Sequence, residues 1–348
     1  MTAPEIRTTV VGSYPAPDWL LALPSQQALI DATKVVFKTQ EMAGIDVVAD
    51  GELYRWDVNH PDTNGMIEYF TRPMAGVRSA VTRRELEAFR QMEGMGFRSE
   101  PAGVVEGPVG EGRLALLKDY RRARACTRHA MKFTLTGPHM LSKTLMDQHY
   151  GSRADLALAI GHALAQQAAD LDPEVIQIDE ANITGHPDEA EWAAAAINVV
   201  LDAARRAPEK GVHLCFGNYG GQSIQKGEWQ KLLDFINRLH CDHVLLEFAF
   251  RGYDELAYFR DGLDRRIGIG LGVIDIKVNT VETPEVVARR LEEAVRVAGP
   301  GRITWANPDC GFWMNQRSIA DRKIAALVRG RDLFLGRDPV ARADADRV

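Results

Sequence analysis

Eight short apolar runs recur along the chain, and helix-like stretches separate them. The runs are TTVVGS (8–13), DVVADGE (46–52), MKFTLTG (131–137), VIQIDEA (175–181), GVHLCFGN (211–218), HVLLEFA (243–249), RIGIGLGVID (266–275) and RITWANPDCG (302–311). Between the later runs lie ADLALAIGHALAQQAADL, EAEWAAAAINVVLDAARRA, TPEVVARRLEEAVRVA and RSIADRKIAALVRGRDLF, whose apolar residues recur at helical spacing. Strands alternating with helices of this length imply βαβ units and a parallel sheet. The runs show little polar alternation, as expected of strands covered on both faces. Eight such units predict an α/β fold, a closed (β/α)8 TIM barrel, and the chain's 348 residues are within the reach of one barrel.

One interval breaks the rhythm. Residues 56–128, following the second run, are rich in Arg, Glu and Gly, and predict an insertion over the barrel mouth, part hairpin and part helix. The expected organisation is a single barrel over 1–336 carrying that insertion, followed by a frayed tail over 337–348.

Polar residues collect at the carboxyl ends of the runs, which is the active face of a barrel. Four of them are His213, Cys215, Glu247 and Cys310. His-x-Cys on one strand puts both side chains on one face, because side chains alternate with period two. Taken singly, each cysteine reads more readily as a small buried hydrophobe than as a ligand. Together, one imidazole, two thiolates and a carboxylate at three strand ends form a soft tetrahedral set that suits Zn2+. The remaining cysteines, Cys126 and Cys241, read as structural. Four cysteines in a chain of this length make no disulfide framework, and reduced thiols remain available to a metal.

A net charge of −6 argues against a nucleic-acid partner. The start, MTAPEIRTTVVGSYP, lacks the pattern of a signal peptide, and no run approaches the ~18 apolar residues of a membrane span. The expectation is a cytoplasmic protein with no membrane partner.

TTVVGSYP, DVVADGELYR, KFTLTGP, VIQIDEA, HLC, LLEFA and NPDCG follow one another in an order that resembles the C-terminal catalytic barrel of cobalamin-independent methionine synthase. The resemblance covers nearly the whole chain. It implies a zinc-dependent methyltransferase that makes methionine from homocysteine, with zinc on His213, Cys215, Glu247 and Cys310. It implies an amino-acid pocket formed by Val11 to Ser13, Glu52 and Asp179, the two carboxylates holding the substrate ammonium. Coordination deprotonates a thiol that is otherwise mostly protonated at neutral pH. Glu247 is then the ligand expected to yield to the incoming sulfur.

Three departures from the family pattern bear on the methyl donor. Full-length members carry an additional N-terminal barrel that helps hold folate polyglutamate, and this sequence offers none. After TGP the sequence reads HMLSKTLMDQHY, without the tryptophan of folate-using members. Past the GVxDI strand, where those members carry a proton-donating histidine, GVIDIKVN offers Lys277. The expected donor is a methylated corrinoid, free or on a corrinoid protein, or methyl-folate. A corrinoid leaves as a stabilised anion and needs no acid. An alternative is alkyl transfer to another thiol, as in epoxyalkane:coenzyme M transferase, where Lys277 or Tyr219 would protonate the opened epoxide. A further alternative is a zinc- or corrinoid-binding protein without turnover, and a porphyrinogen decarboxylase-like barrel is a remote one. The carboxylates Glu52 and Asp179 favour an enzyme over the former, and HLC with NPDCG disfavours the latter.

Overall fold

Every one of the eight runs overlaps a barrel strand. A computed structural model describes residues 5–55, 64–91, 98–218 and 223–337. The strands are β1 (Arg7–Thr8), β2 (Val48–Ala49), β3 (Met131–Thr136), β4 (Val175–Glu180), β5 (Glu209–Leu214), β6 (His243–Leu246), β7 (Gly268–Ile274) and β8 (Ile303–Pro308). All pair in parallel, in the order β1-β8-β7-β6-β5-β4-β3-β2. Parallel bridges from Thr9 to Val47 and from Ser13 to Gly51 join β1 to β2 and close the barrel.

The covering helices form where the periodicity places them. Examples are Arg153–Ala168, Ala190–Ala203, Pro284–Ala298 and Arg317–Phe334. Thr283 caps one of them, its hydroxyl accepting from the Val286 N–H, with Pro284 at the first helical position where a missing N–H costs nothing. Leu164, Ile197, Val287, Leu291, Ile324 and Leu327 turn inward from these helices onto strands whose own residues, such as Ile176, Ile178, Val212 and Val244, are fully buried. Among the described residues no helix is long and apolar enough to cross a membrane.

The predicted insertion holds helices Glu68–Thr71, Arg83–Phe89 and Leu116–Arg124. It also holds strand Ala75–Arg78, antiparallel to Val104–Gly110, and the latter pairs in parallel with Met146–Asp147 from the loop after β3. The predicted hairpin is therefore one part of a small three-stranded sheet. Residues 56–63 and 92–97 of the insertion, and the predicted tail apart from Arg337, lie outside the described residues.

Closure depends on a buried cation from the last helix. The Arg331 guanidinium, 1% exposed, reaches the Ile6 carbonyl at 2.7 Å and the Asp46 carboxylate at 2.5 Å, tying the residue before β1 to the loop before β2. Asp46 also accepts the Thr8 N–H and hydroxyl. Removing one partner of such a pair strands the other charge, at about 3–5 kcal/mol. Arg331→Met is expected to lower the unfolding free energy by about that amount in urea titrations. An unchanged midpoint would show that closure does not depend on this contact.

Candidate active site

Strand register sets the site. Thr136 of β3 lies opposite Asp179 of β4, and Asp179 opposite His213 of β5. Cys215 follows β5 by one residue and shares the His213 face, while Cys310 follows β8 by two. One ligand atom from each of His213, Cys215 and Cys310 falls within 4.8 Å of the others. The Cys215 and Cys310 sulfurs are 3.8 Å apart, as free thiols. His213 is held by its Nδ1–H, which donates to the Leu245 carbonyl at 3.1 Å. That bond fixes the tautomer and leaves the Nε2 lone pair buried without a hydrogen-bond partner among the described residues.

These donors fit a soft cation. Two tetrahedral sulfur ligands, each about 2.3 Å from a zinc-sized ion, lie about 3.8 Å apart. The orphaned Nε2 supplies a neutral nitrogen donor beside them. The Cys310 sulfur and burial together push the Cys215 thiol well above its ordinary range. A cation must therefore displace protons to bind there.

Glu247 is close in the fold but engaged elsewhere. Its Oε2 accepts the Phe216 N–H at 3.1 Å and its Oε1 takes the Lys277 ammonium at 2.5 Å. The structure thus brings together three of the four sequence-predicted ligands directly, and pairs the fourth with Lys277. Its loop is fixed by Asp309, whose oxygens accept the N–H groups of Phe248, Ala249 and Phe250 at 3.0, 2.8 and 2.7 Å. Burial, then the neighbouring Glu247 charge, raises the Asp309 carboxyl to about 7.

The same cavity is lined by Val11, Gly12, Ser13, Glu52 and Asp179. Glu52 is the one non-glycine with positive φ among the described residues, at 60°, directly after Gly51 at 76°. A bulky residue in the left-handed region is a strained placement that surrounding contacts must enforce. They do: Glu52 Oε1 accepts the Thr134 hydroxyl at 2.6 Å and lies 3.2 Å from Arg55. Arg55 also donates to the Thr134 carbonyl at 2.5 Å and to its hydroxyl oxygen at 2.8 Å. A Cβ at position 12 would stand 2.3 Å from Glu52 Oε1, so a side chain there would have to displace the carboxylate. Asp179 Oδ1 accepts from Gln177 at 2.6 Å, and the same amide nitrogen reaches the Val11 carbonyl at 2.8 Å. Gln177 Oε1 accepts at 2.8 Å from the buried Lys132, whose ammonium also bonds the Val10 carbonyl. Burial, then the Glu52 charge, raises the Asp179 carboxyl to about 6, and burial lowers Lys132 to about 7.

The sequence reading missed Arg55, Thr134, Gln177, Lys132 and Asp309. A charged or amide side chain inside an otherwise apolar barrel strand was the available signal for Lys132 and Gln177. Met66, Ile67 and Arg98 of the insertion line the pocket, the last held by Glu68. Trp313 lines it from the loop after β8. Cys241 sits outside this site, its thiol pushed up to about 12 by burial. Tyr219 lies outside the described residues.

Residues 6–330 match the family described as the cobalamin-independent synthase, catalytic domain. The chain belongs to this family. It is 29% identical over 349 aligned residues to a methionine synthase of Thermococcus kodakarensis, covering 96% of this chain and 94% of the relative. A methionine synthase of Sulfurisphaera tokodaii is 29% identical over 343 residues, covering 94% and 92%. In fold it is similar to a B12-independent methionine synthase from Shewanella sp. W3-18-1, solved with selenomethionine, at TM-score 0.76, 22% identity and 99% and 100% coverage. The (β/α)8 architecture and a methyltransferase activity are those of the family.

The three-donor cluster makes a direct prediction. Titrating Co2+ into the protein should give a strong sulfur-to-metal charge-transfer band, release protons and saturate at about one ion per chain. Cys215→Ser should weaken the band and the affinity. A full-strength band in the Cys215→Ser/Cys310→Ser double variant would remove this cluster as the site.

Proposed function

We propose that the protein transfers a methyl group to the sulfur of homocysteine, giving methionine. The observation that carries the reading is one cavity with two unlike ends. Two thiols and a free imidazole nitrogen stand at one end, two buried carboxylates beside a glycine turn at the other. An amino acid with a thiol side chain spans both. Its ammonium meets Glu52 and Asp179, and its backbone lies along Val11 to Ser13. The relatives' name, methionine synthase, supports the same substrate.

Zn2+ is the metal we assign to His213, Cys215 and Cys310, with Glu247 as an exchangeable fourth ligand. When bound it lets a sulfur persist as thiolate at neutral pH. The residues do the rest. Glu52 and Asp179 orient the substrate by charge, Gly12 leaves room for the Glu52 carboxylate, and the insertion limits access of water. In the transfer, a sulfur–carbon bond forms as the donor–carbon bond breaks, and the electron pair leaves with the donor.

The donor we favour is a methylated corrinoid, whose departing anion needs no proton. Among the described residues lining the cavity there is no lysine, and His213 is committed to the metal cluster. The Lys277 ammonium is engaged by Glu247 and Ser223. Folate nitrogen leaves poorly without a positioned acid, whose loss typically costs ~10²–10⁴ in rate. In single-turnover assays of zinc-loaded protein with homocysteine, transfer from methylcobalamin should outpace transfer from methyl-tetrahydrofolate. The reverse order would return Lys277 to the role of acid, and no transfer from either donor would sink the methyltransferase reading.

Asp179 sets a pH dependence. Its carboxyl titrates near 6 in the free protein, and the substrate ammonium needs the charged form. In the metal-free protein, where binding expels no thiol proton, homocysteine affinity should be level above about pH 7 and fall by up to about tenfold per unit below 6. Calorimetric titrations across pH 5–8 check this, with Asp179→Asn expected to bind weakly throughout and to lose the inflection. Equal binding of thiols that lack an amino group would shift the acceptor away from amino acids.

A further inference from the structure

Lys277 stands past the GVxDI strand, where the family pattern has a proton-donating histidine, yet its surroundings describe another task. Its side chain is 3% exposed. The ammonium lies 2.5 Å from Glu247 Oε1 and 2.7 Å from the Ser223 hydroxyl oxygen. It also sits 4.4 Å from the Phe250 ring centre, a cation–π arrangement on the loop that carries Glu247. The Lys277 N–H is fixed in turn by the Asp275 carboxylate at 2.8 Å. Neither Glu247 nor Lys277 lines the cavity into which Cys215, Cys310 and His213 project. Glu247 is fully buried, so its charge needs a permanent partner whenever it is not ligating a metal.

Resting on the reading of the site given above, we propose that Lys277 is a positioning residue that holds Glu247 in a withdrawn position, leaving the fourth place at the three-donor cluster to a substrate sulfur. The geometry supplies both halves of the exchange. Phe216 N–H holds one carboxylate oxygen at the end of β5, next to Cys215, and Lys277 draws the other away. Without the ammonium, Glu247 would lose the cation that now lies 2.5 Å from it and would turn to the cation at the cluster. Glu247 would then compete with the incoming sulfur. The metal affinity and the thiol affinity should move in opposite directions, a reciprocity that a proton donor would not produce.

The test compares wild type with Lys277→Met, Lys277→Gln and Lys277→Arg, each in the native and in the Glu247→Gln background. Zinc affinity is read by chelator competition without thiol, and homocysteine affinity by calorimetry on zinc-loaded protein. Lys277→Met and Lys277→Gln should each tighten zinc and weaken homocysteine by roughly tenfold, with Lys277→Arg close to wild type. Both effects should shrink to within about twofold in the Glu247→Gln background, where no carboxylate remains to be drawn away. Unchanged affinities in the folded Lys277→Gln protein, or effects that persist without Glu247, would overturn the proposal while leaving zinc and homocysteine binding by wild type intact. Wild type that binds neither zinc nor homocysteine would instead overturn the underlying reading, and this inference with it.

Discussion

Two carboxylates buried at the mouth of this barrel, Glu52 and Glu247, each face a buried cation, and much of the site is arranged around those two pairs. An uncompensated charge in such surroundings costs several kcal/mol. Glu52 has Arg55 at 3.2 Å, and Glu247 has Lys277 at 2.5 Å. Asp179 is linked through Gln177 to Lys132. Part of the carboxylate charge is therefore balanced before any substrate enters. The cations also explain why the carboxylates can stay buried. Arg55 and Thr134 keep Glu52 in a backbone conformation that few glutamates adopt, so the strain is held by the same contacts that place the charge.

How much of this the sequence discloses depends on how local the information is. Strands β3 to β8 are contiguous apolar runs and can be read directly. Helices such as Arg317–Phe334 coincide with the periodic segment end to end. His213 and Cys215 lie two apart on one strand, so their common face follows from the pleat alone. Cys310 joins them because parallel register carries every strand's carboxyl end to the same rim. By contrast, the pairing of Ala75–Arg78 with Val104–Gly110, and of the latter with Met146–Asp147, joins segments far apart in the chain that lack a strong strand pattern. Its origin is tertiary. The Lys277–Glu247 pair is equally non-local. Position past a strand end identifies Lys277 as a residue of interest, but only side-chain direction shows that it points at a carboxylate.

Asp309 illustrates a second kind of hidden information. It sits inside the NPDCG motif, one residue before a cluster cysteine, and could be taken for a further ligand. Instead its two oxygens collect three successive backbone N–H groups just past Glu247. Those bonds shape the loop that presents Glu247 to Lys277. The close fit leaves no room for a side chain at Gly272, where a Cβ would lie 2.0 Å from Asp309 Oδ1. A short motif thus encodes both a metal donor and the support for its neighbour, and only the second role needs the third dimension to be seen.

Burial of the sulfurs carries a consequence for metal selection. The Cys215 thiol is held protonated by its surroundings, so any cation entering the cluster must gain enough from thiolate bonding to expel a proton. Hard ions such as Mg2+ and Ca2+ gain little from sulfur and prefer oxygen ligands in larger numbers than this rim provides. A soft or borderline ion with tetrahedral preference gains most. The His213 Nε2 adds a nitrogen donor, its ring oriented by the Nδ1–H bond to Leu245. If Glu247 withdraws as proposed, such an ion would keep three protein donors, two of them anionic. Its charge would then be nearly balanced by the two sulfurs, and a third, exchangeable sulfur would keep its nucleophilic electron density. On the proposed reading, the selectivity for the ion and the reactivity of the substrate sulfur would follow from the same arrangement of three side chains, two of them buried.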